Sequence, residues 1–131
     1  MRIVLLLIIV GLLSCNDTNI LETHPSPTGD YILQVELDNS KSNDEHLGFR
    51  LMKKNGTELD YVRTLASDNM KWAVMWYNDT TIMIDSHDIG MYGWAINKDG
   101  RLETMNPMLI RDAGDKCADA FIIKYGSHSS H

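Results

Sequence analysis

The stretch from Gly48 to Val62 constrains the fold more than any other part of the chain. Phe49 and Leu51 fall on one face of an extended segment, Asn55-Gly56 supplies the positive-φ pair of a tight hairpin turn, and TELDYV returns alongside. Two antiparallel strands are predicted here.

The same grammar recurs on both sides of this hairpin. In YILQVEL, Tyr31, Leu33, Val35 and Leu37 alternate with Gln34 and Glu36, the period-two signature of a half-buried strand. In MKWAVMWY, Trp72, Val74 and Trp76 share one face while Ala73, Met75 and Tyr77 share the other. Both faces are apolar, which predicts a central strand. Asn78-Asp79-Thr80 turns the chain into the returning strand TIMID. Further on, Lys98-Asp99-Gly100 reads as a three-residue turn with Gly in the left-handed position, pairing Trp94 to Ile96 with Arg101 to Thr104.

The last segment carries two periods. Ala118, Phe121, Ile122 and Tyr125 recur at helical spacing, with Asp115 as the expected N-cap and Gly126 just past the end. The rival reading is a strand, AFIIKY, because these residue types also favour the sheet. The fold class expected is mainly β, a small antiparallel sheet or sandwich of hairpins, with one C-terminal helix as the favoured reading of the final segment.

The chain opens MRIVLLLIIVGLLSCN. Arg2 precedes an unbroken apolar run of eleven residues, Ile3 to Leu13, which at about 1.5 Å per helical residue falls short of a hydrocarbon core of about 30 Å. A short basic region, an apolar core and a small residue before the processing point are the anatomy of a secretory signal. Leu12-Leu13-Ser14-Cys15 resembles the lipobox of bacterial lipoproteins. The resemblance implies that residues 1–14 are removed, that Cys15 carries a thioether-linked lipid, and that the new amino terminus is acylated. Several acyl chains hold a protein on a membrane essentially permanently. Asn16, in place of the aspartate that favours inner-membrane retention, implies an outer-membrane destination facing the periplasm or the cell surface.

Residues 15–29 read as the lipidated cysteine and a flexible tether, because Pro25 and Pro27 block regular pairing, and residues 16–29 would reach roughly 45 Å at full stretch. A single β-rich domain is expected over residues 30–126, followed by a frayed tail at 127–131. The chain holds 12 basic and 18 acidic residues, a formal charge of −6, which argues against nucleic acid. With Cys15 lipidated, Cys117 has no disulfide partner and is expected to be a buried small hydrophobe.

Ser26-Pro27-Thr28-Gly29-Asp30-Tyr31 opens a strand, and Trp76 through Thr80 and Thr81 to Ile84 forms a hairpin that ends in a polar stretch with His87. This order of motifs resembles a family of small membrane-anchored bacterial β-rich proteins of unknown function, and more loosely a single β-propeller blade, over roughly residues 25 to 96. The resemblance implies a fold and a location, and no catalytic residue is carried over with it.

Three groups of residues could carry chemistry. Asp85-Ser86-His87-Asp88 offers carboxylates beside an imidazole, suited to metal binding or to general-base work. Its bland counterpart is a polar turn before Gly90. The acidic loop DNSKSNDEH places Asp38, Asp44 and Glu45 where they could face a basic partner or a calcium ion, or simply solvent. Among the aromatics, two or three are expected in the core, with Tyr77 or Tyr92 as the exposed members. His24 and His46 read as solvated, and His128 and His131, spaced i, i+3 in a frayed tail, as capable of weak adventitious metal binding at most. No catalytic residue, metal site or cofactor is assigned.

The function expected is a lipid-anchored envelope binding or accessory protein without catalytic activity, offering a loop or sheet edge to another envelope protein, in one version like an immunity protein. The alternatives are a metal-dependent or histidine-assisted enzyme using Asp85, His87 and Asp88, and a structural envelope lipoprotein.

Overall fold

The computed structural model describes residues 19–40 and 45–126. Eight strands form two four-stranded antiparallel sheets, each a meander in which every strand pairs with its neighbour in sequence. The first sheet runs β1 (Ile20–Pro25), β2 (Tyr31–Asp38), β3 (His46–Lys53) and β4 (Glu58–Ser67). The second runs β5 (Trp72–Asn78), β6 (Thr81–Ser86), β7 (Gly90–Ile96) and β8 (Leu102–Met105). A 3-10 turn at Pro107–Leu109 leads to helix α1, Ala113–Tyr125.

The two sheets bury their facing sides against each other. Leu33, Val35, Leu47, Phe49 and Leu51 from the first meet Trp72, Val74, Ile82, Ile84, Trp94 and Leu102 from the second. Phe49 and Trp94 pack edge to face with ring centroids 5.0 Å apart. Each large apolar side chain so buried contributes on the order of 1.5–3 kcal/mol. On its other face the second sheet carries α1, with Met83, Ala113 and Cys117 at the centre of a smaller cluster that Met75, Tyr77 and Met91 border. The result is sheet on sheet on helix, a layered solution to burying amphipathic elements.

The predicted turns form with the glycines that they require. Gly100 sits at φ 80°, donates to Asn97 at 3.0 Å and lets Asn97 N–H bond Arg101 at 2.8 Å. Gly56 takes φ 91° and closes a turn onto Lys53, with Lys53 N–H bonded to Thr57. The tight turn expected with Asn55-Gly56 as its central pair is thus a three-residue loop, Lys54 to Gly56, whose glycine forms a bulge, because the Gly56 N–H bonds the Lys53 carbonyl and puts Lys54 and Asn55 at the centre.

Three further expectations change. The stretch read as tether is structured from Ile20, because β1 pairs with β2 from Ile20 opposite Glu36 to Pro25 opposite Ile32. Backbone pairing on an edge strand asks little of the side chains, and proline is tolerated at its end. Strand β5 is an edge strand and not a central one. Its two apolar faces are explained by the opposite sheet on one side and α1 on the other. The helix begins after Asp112, not Asp115, and ends as expected at Gly126, which is left-handed and donates to Ile122.

Candidate binding groove

The residues singled out in the sequence are dispersed by the fold, and most are engaged in holding it together. Asp38 ends β2 on the open face of the first sheet. Its carboxylate accepts the Tyr61 hydroxyl at 2.5 Å and the Ser40 hydroxyl at 2.6 Å, with the Arg63 guanidinium 3.5 Å away. Bonds from Ser40 and Tyr61 to the ionised form hold its pKa down to about 2. Glu45 is exposed and lends its carbonyl to Asp68 N–H. Asp44 lies outside the described residues, as do His128 and His131.

The Asp85 to Asp88 stretch is split between layers. Asp85 lies opposite Ala73 and Met91. The His87 ring stacks on Phe121 of α1, centroids 5.4 Å apart and nearly parallel at 16°. Asp88 turns the other way and accepts Ser67 N–H from β4 at 3.0 Å, so its carboxylate ties the two sheets together. Among the described residues no group of three or more His, Cys, Asp or Glu side chains is placed to hold a metal ion. Cys117 lies on the buried face of α1, and burial together with the nearby Asp85 charge pushes its thiol up to about 11. Trp72 and Trp94 are buried, whereas Tyr92 is 38% exposed.

The surface that stands out is one that periodicity did not point to. A groove of about 490 Å³ runs along the outer edge of β5 from Ala73 to Trp76, walled by Glu22, His24 and Pro25 of β1 on one side and by Ala120, Ile123 and Lys124 of α1 on the other. Among the described residues β5 pairs only with β6. Its second edge therefore presents backbone polar groups to the groove.

Two side chains occupy part of what a neighbouring strand would occupy. The Tyr125 hydroxyl accepts Trp72 N–H at 3.1 Å and donates to the same residue's carbonyl at 2.9 Å. Both groups of Trp72 thus point outward. The alternation of an antiparallel ladder then directs those of Val74 and Trp76 to the same edge. At the far end the Trp76 indole donates to the His24 carbonyl at 2.9 Å, bridging β5 to the free edge of β1.

Charge in the groove is internally balanced. Lys124 Nζ lies 3.1 Å from the Trp72 ring centroid and 2.8 Å from Glu22, while Glu22 also meets His24 at 2.8 Å. Burial disfavours the Glu22 carboxylate, but hydrogen bonds from His24 and Lys124 outweigh it and hold the carboxyl below its ordinary value. What is left for a ligand is apolar wall and backbone edge. That combination suits an extended peptide, whose main chain bonds the strand edge while its side chains meet the walls.

No family model matches this chain, and comparison with curated proteins and with solved structures finds no match either.

Proposed function

We propose that this chain is a lipid-anchored cell-envelope binding protein without catalytic activity. Cys15 is its anchor, in an outer membrane facing the periplasm or the cell surface, and the β5 groove receives an extended segment of another envelope protein. The resemblance of Leu12-Leu13-Ser14-Cys15 to a lipobox supports the first half of the reading. The second rests on one observation: β5 leaves an edge open between two walls, and Tyr125 already bonds that edge at Trp72 as a strand would.

The immunity-like version, in which acidic loop residues dock on a basic surface, is less well supported. The Asp38 carboxylate is committed to Tyr61 and Ser40, and breaking those bonds to meet a partner would cost on the order of 1–3 kcal/mol.

The test is capture of partners from native membranes by the acylated protein, beside an Ala120→Arg variant and a Lys98→Ala control. Ala120 lines the groove, so a long charged side chain there should abolish capture of a stoichiometric partner that Lys98→Ala retains. Equal capture by Ala120→Arg would remove the groove from the proposal. A Cys15→Ala protein that stays in the membrane fraction would remove the anchor.

A further inference from the structure

The described chain enters the fold at one particular end of the sandwich. Asn19 accepts the N–H of Leu37, and Ile20 pairs with Glu36, near the last residue of β2. The turn between β4 and β5 lies at the same end, and so does the last turn of α1, because Tyr125 bonds Trp72 there.

Four of the eight exposed large apolar side chains among the described residues lie at this end. Ile123 is 86% exposed, Met70 46%, Leu21 40% and Ile122 38%. Met70 precedes Lys71, whose ammonium lies 5.2 Å from the Tyr125 ring centroid, and Lys124 lies 5.3 Å from the same ring. Lys124 also reaches Glu22, the neighbour of Leu21. Leu21, Met70, Lys71, Ile122, Ile123 and Lys124 therefore form one rim around Tyr125, apolar with two ammonium groups. Clustered exposed apolar surface marks an interaction site, and lysines beside it suit a water boundary, where their stems lie on apolar surface and their heads stay wet.

The length of chain before β1 identifies the occupant. Only residues 16–19 separate Cys15 from Ile20, a reach of at most about 18 Å. Strand β2, eight residues long, spans about 26 Å. A lipid on Cys15 thus keeps the entry end at the bilayer surface, while the opposite end, with the turns at Gly56 and Gly100, stands clear.

We propose that this rim seats on the bilayer, with Ile122 and Ile123 below the headgroups and Lys71 and Lys124 at their level. The proposal rests on acylation of Cys15. The groove then opens near the membrane surface and runs away from it, which orients a bound segment along the membrane normal.

The experiment uses the acylated protein in vesicles of zwitterionic phosphatidylethanolamine and phosphatidylcholine, with a fluorophore on either Ile123→Cys or Lys98→Cys. Cys117 is buried and stays unlabelled. Brominated acyl chains should quench the label at 123 at least about twofold more strongly than that at 98, as for an apolar face sunk about 5–10 Å into the interface. Equal quenching, with acylation verified by mass, would overturn the proposal. So would a label at 123 shielded from aqueous iodide but not reached by the brominated chains, which would mean contact with protein, in the groove or on a second copy, and not with lipid. A mass showing no acyl chain on Cys15 would instead defeat the anchor, and the seating with it.

Discussion

The Tyr125 hydroxyl makes hydrogen bonds to both backbone groups of Trp72, at 3.1 Å from the N–H and 2.9 Å to the carbonyl. One phenol thereby closes the start of an open strand edge and fastens the end of α1 to the second sheet. Tyr125→Phe keeps the ring beside Phe121 and removes both bonds. We expect a loss of about 1–2 kcal/mol in denaturant unfolding and faster hydrogen exchange at the Trp72 amide. Unchanged exchange there would mean that the edge is protected by something other than the phenol.

Gly48 is required by Tyr61, its diagonal neighbour on β4. A Cβ at this position would stand 2.0 Å from Tyr61 Oη and 2.7 Å from Cζ. Gly48→Ala must push the Tyr61 ring aside, breaking its bond to Asp38 and its contact with the Arg50 guanidinium, 4.6 Å from the ring centroid. The expected cost is about 1–3 kcal/mol. In a Tyr61→Ala background the same substitution should cost much less, and a double-mutant cycle measures the difference.

Acid should weaken the first sheet through Asp38. Its folded pKa is about 2, below the value of about 3.9 for an unfolded aspartate, so the unfolded chain binds more protons between these values. The contribution is full above about pH 4 and is lost as the pH falls toward 2. Thermal melts over this window should show a steeper decline for the native protein than for Asp38→Asn. Parallel curves would show that the Tyr61 and Ser40 bonds do not depend on the charge.

Cys117 should resist alkylation in the folded protein. With its thiol at about 11 and the side chain buried, the thiolate at pH 8 is about a thousandth of the population. Iodoacetamide followed by mass spectrometry should show modification only in denaturant. Rapid labelling of the native protein would indicate that α1 lifts from the second sheet.

Much of the architecture is readable in the sequence because a strand that buries one face must alternate and a tight turn must place its glycines. The segments around Leu33, Phe49, Trp72 and Trp94 show this. Strand β1 is not readable, since Leu21-Glu22-Thr23-His24 buries little and is held by backbone pairing with β2. The edge position of β5 is hidden for the opposite reason. Its two apolar faces look central until α1 is seen to supply the second cover. The groove escapes local reading altogether, because Glu22, Trp76 and Lys124 meet only after both sheets and the helix are assembled. The acidic loop at Asp38 and the Asp85 to Asp88 stretch attract attention by their charge, yet Asp38 and Asp88 are spent on internal bonds.

Within each sheet every strand pairs with its neighbour in sequence, so the two meanders are contiguous halves of the chain, the first complete at Ser67 and the second beginning at Trp72. Low sequence separation of this kind favours rapid pairing. A chain synthesised from its amino terminus can therefore register its first sheet while the second is still being made. Phe49, Leu51 and Val35 would wait uncovered in that interval. The hazard of assembly lies in those few moments before the second half arrives to cover them.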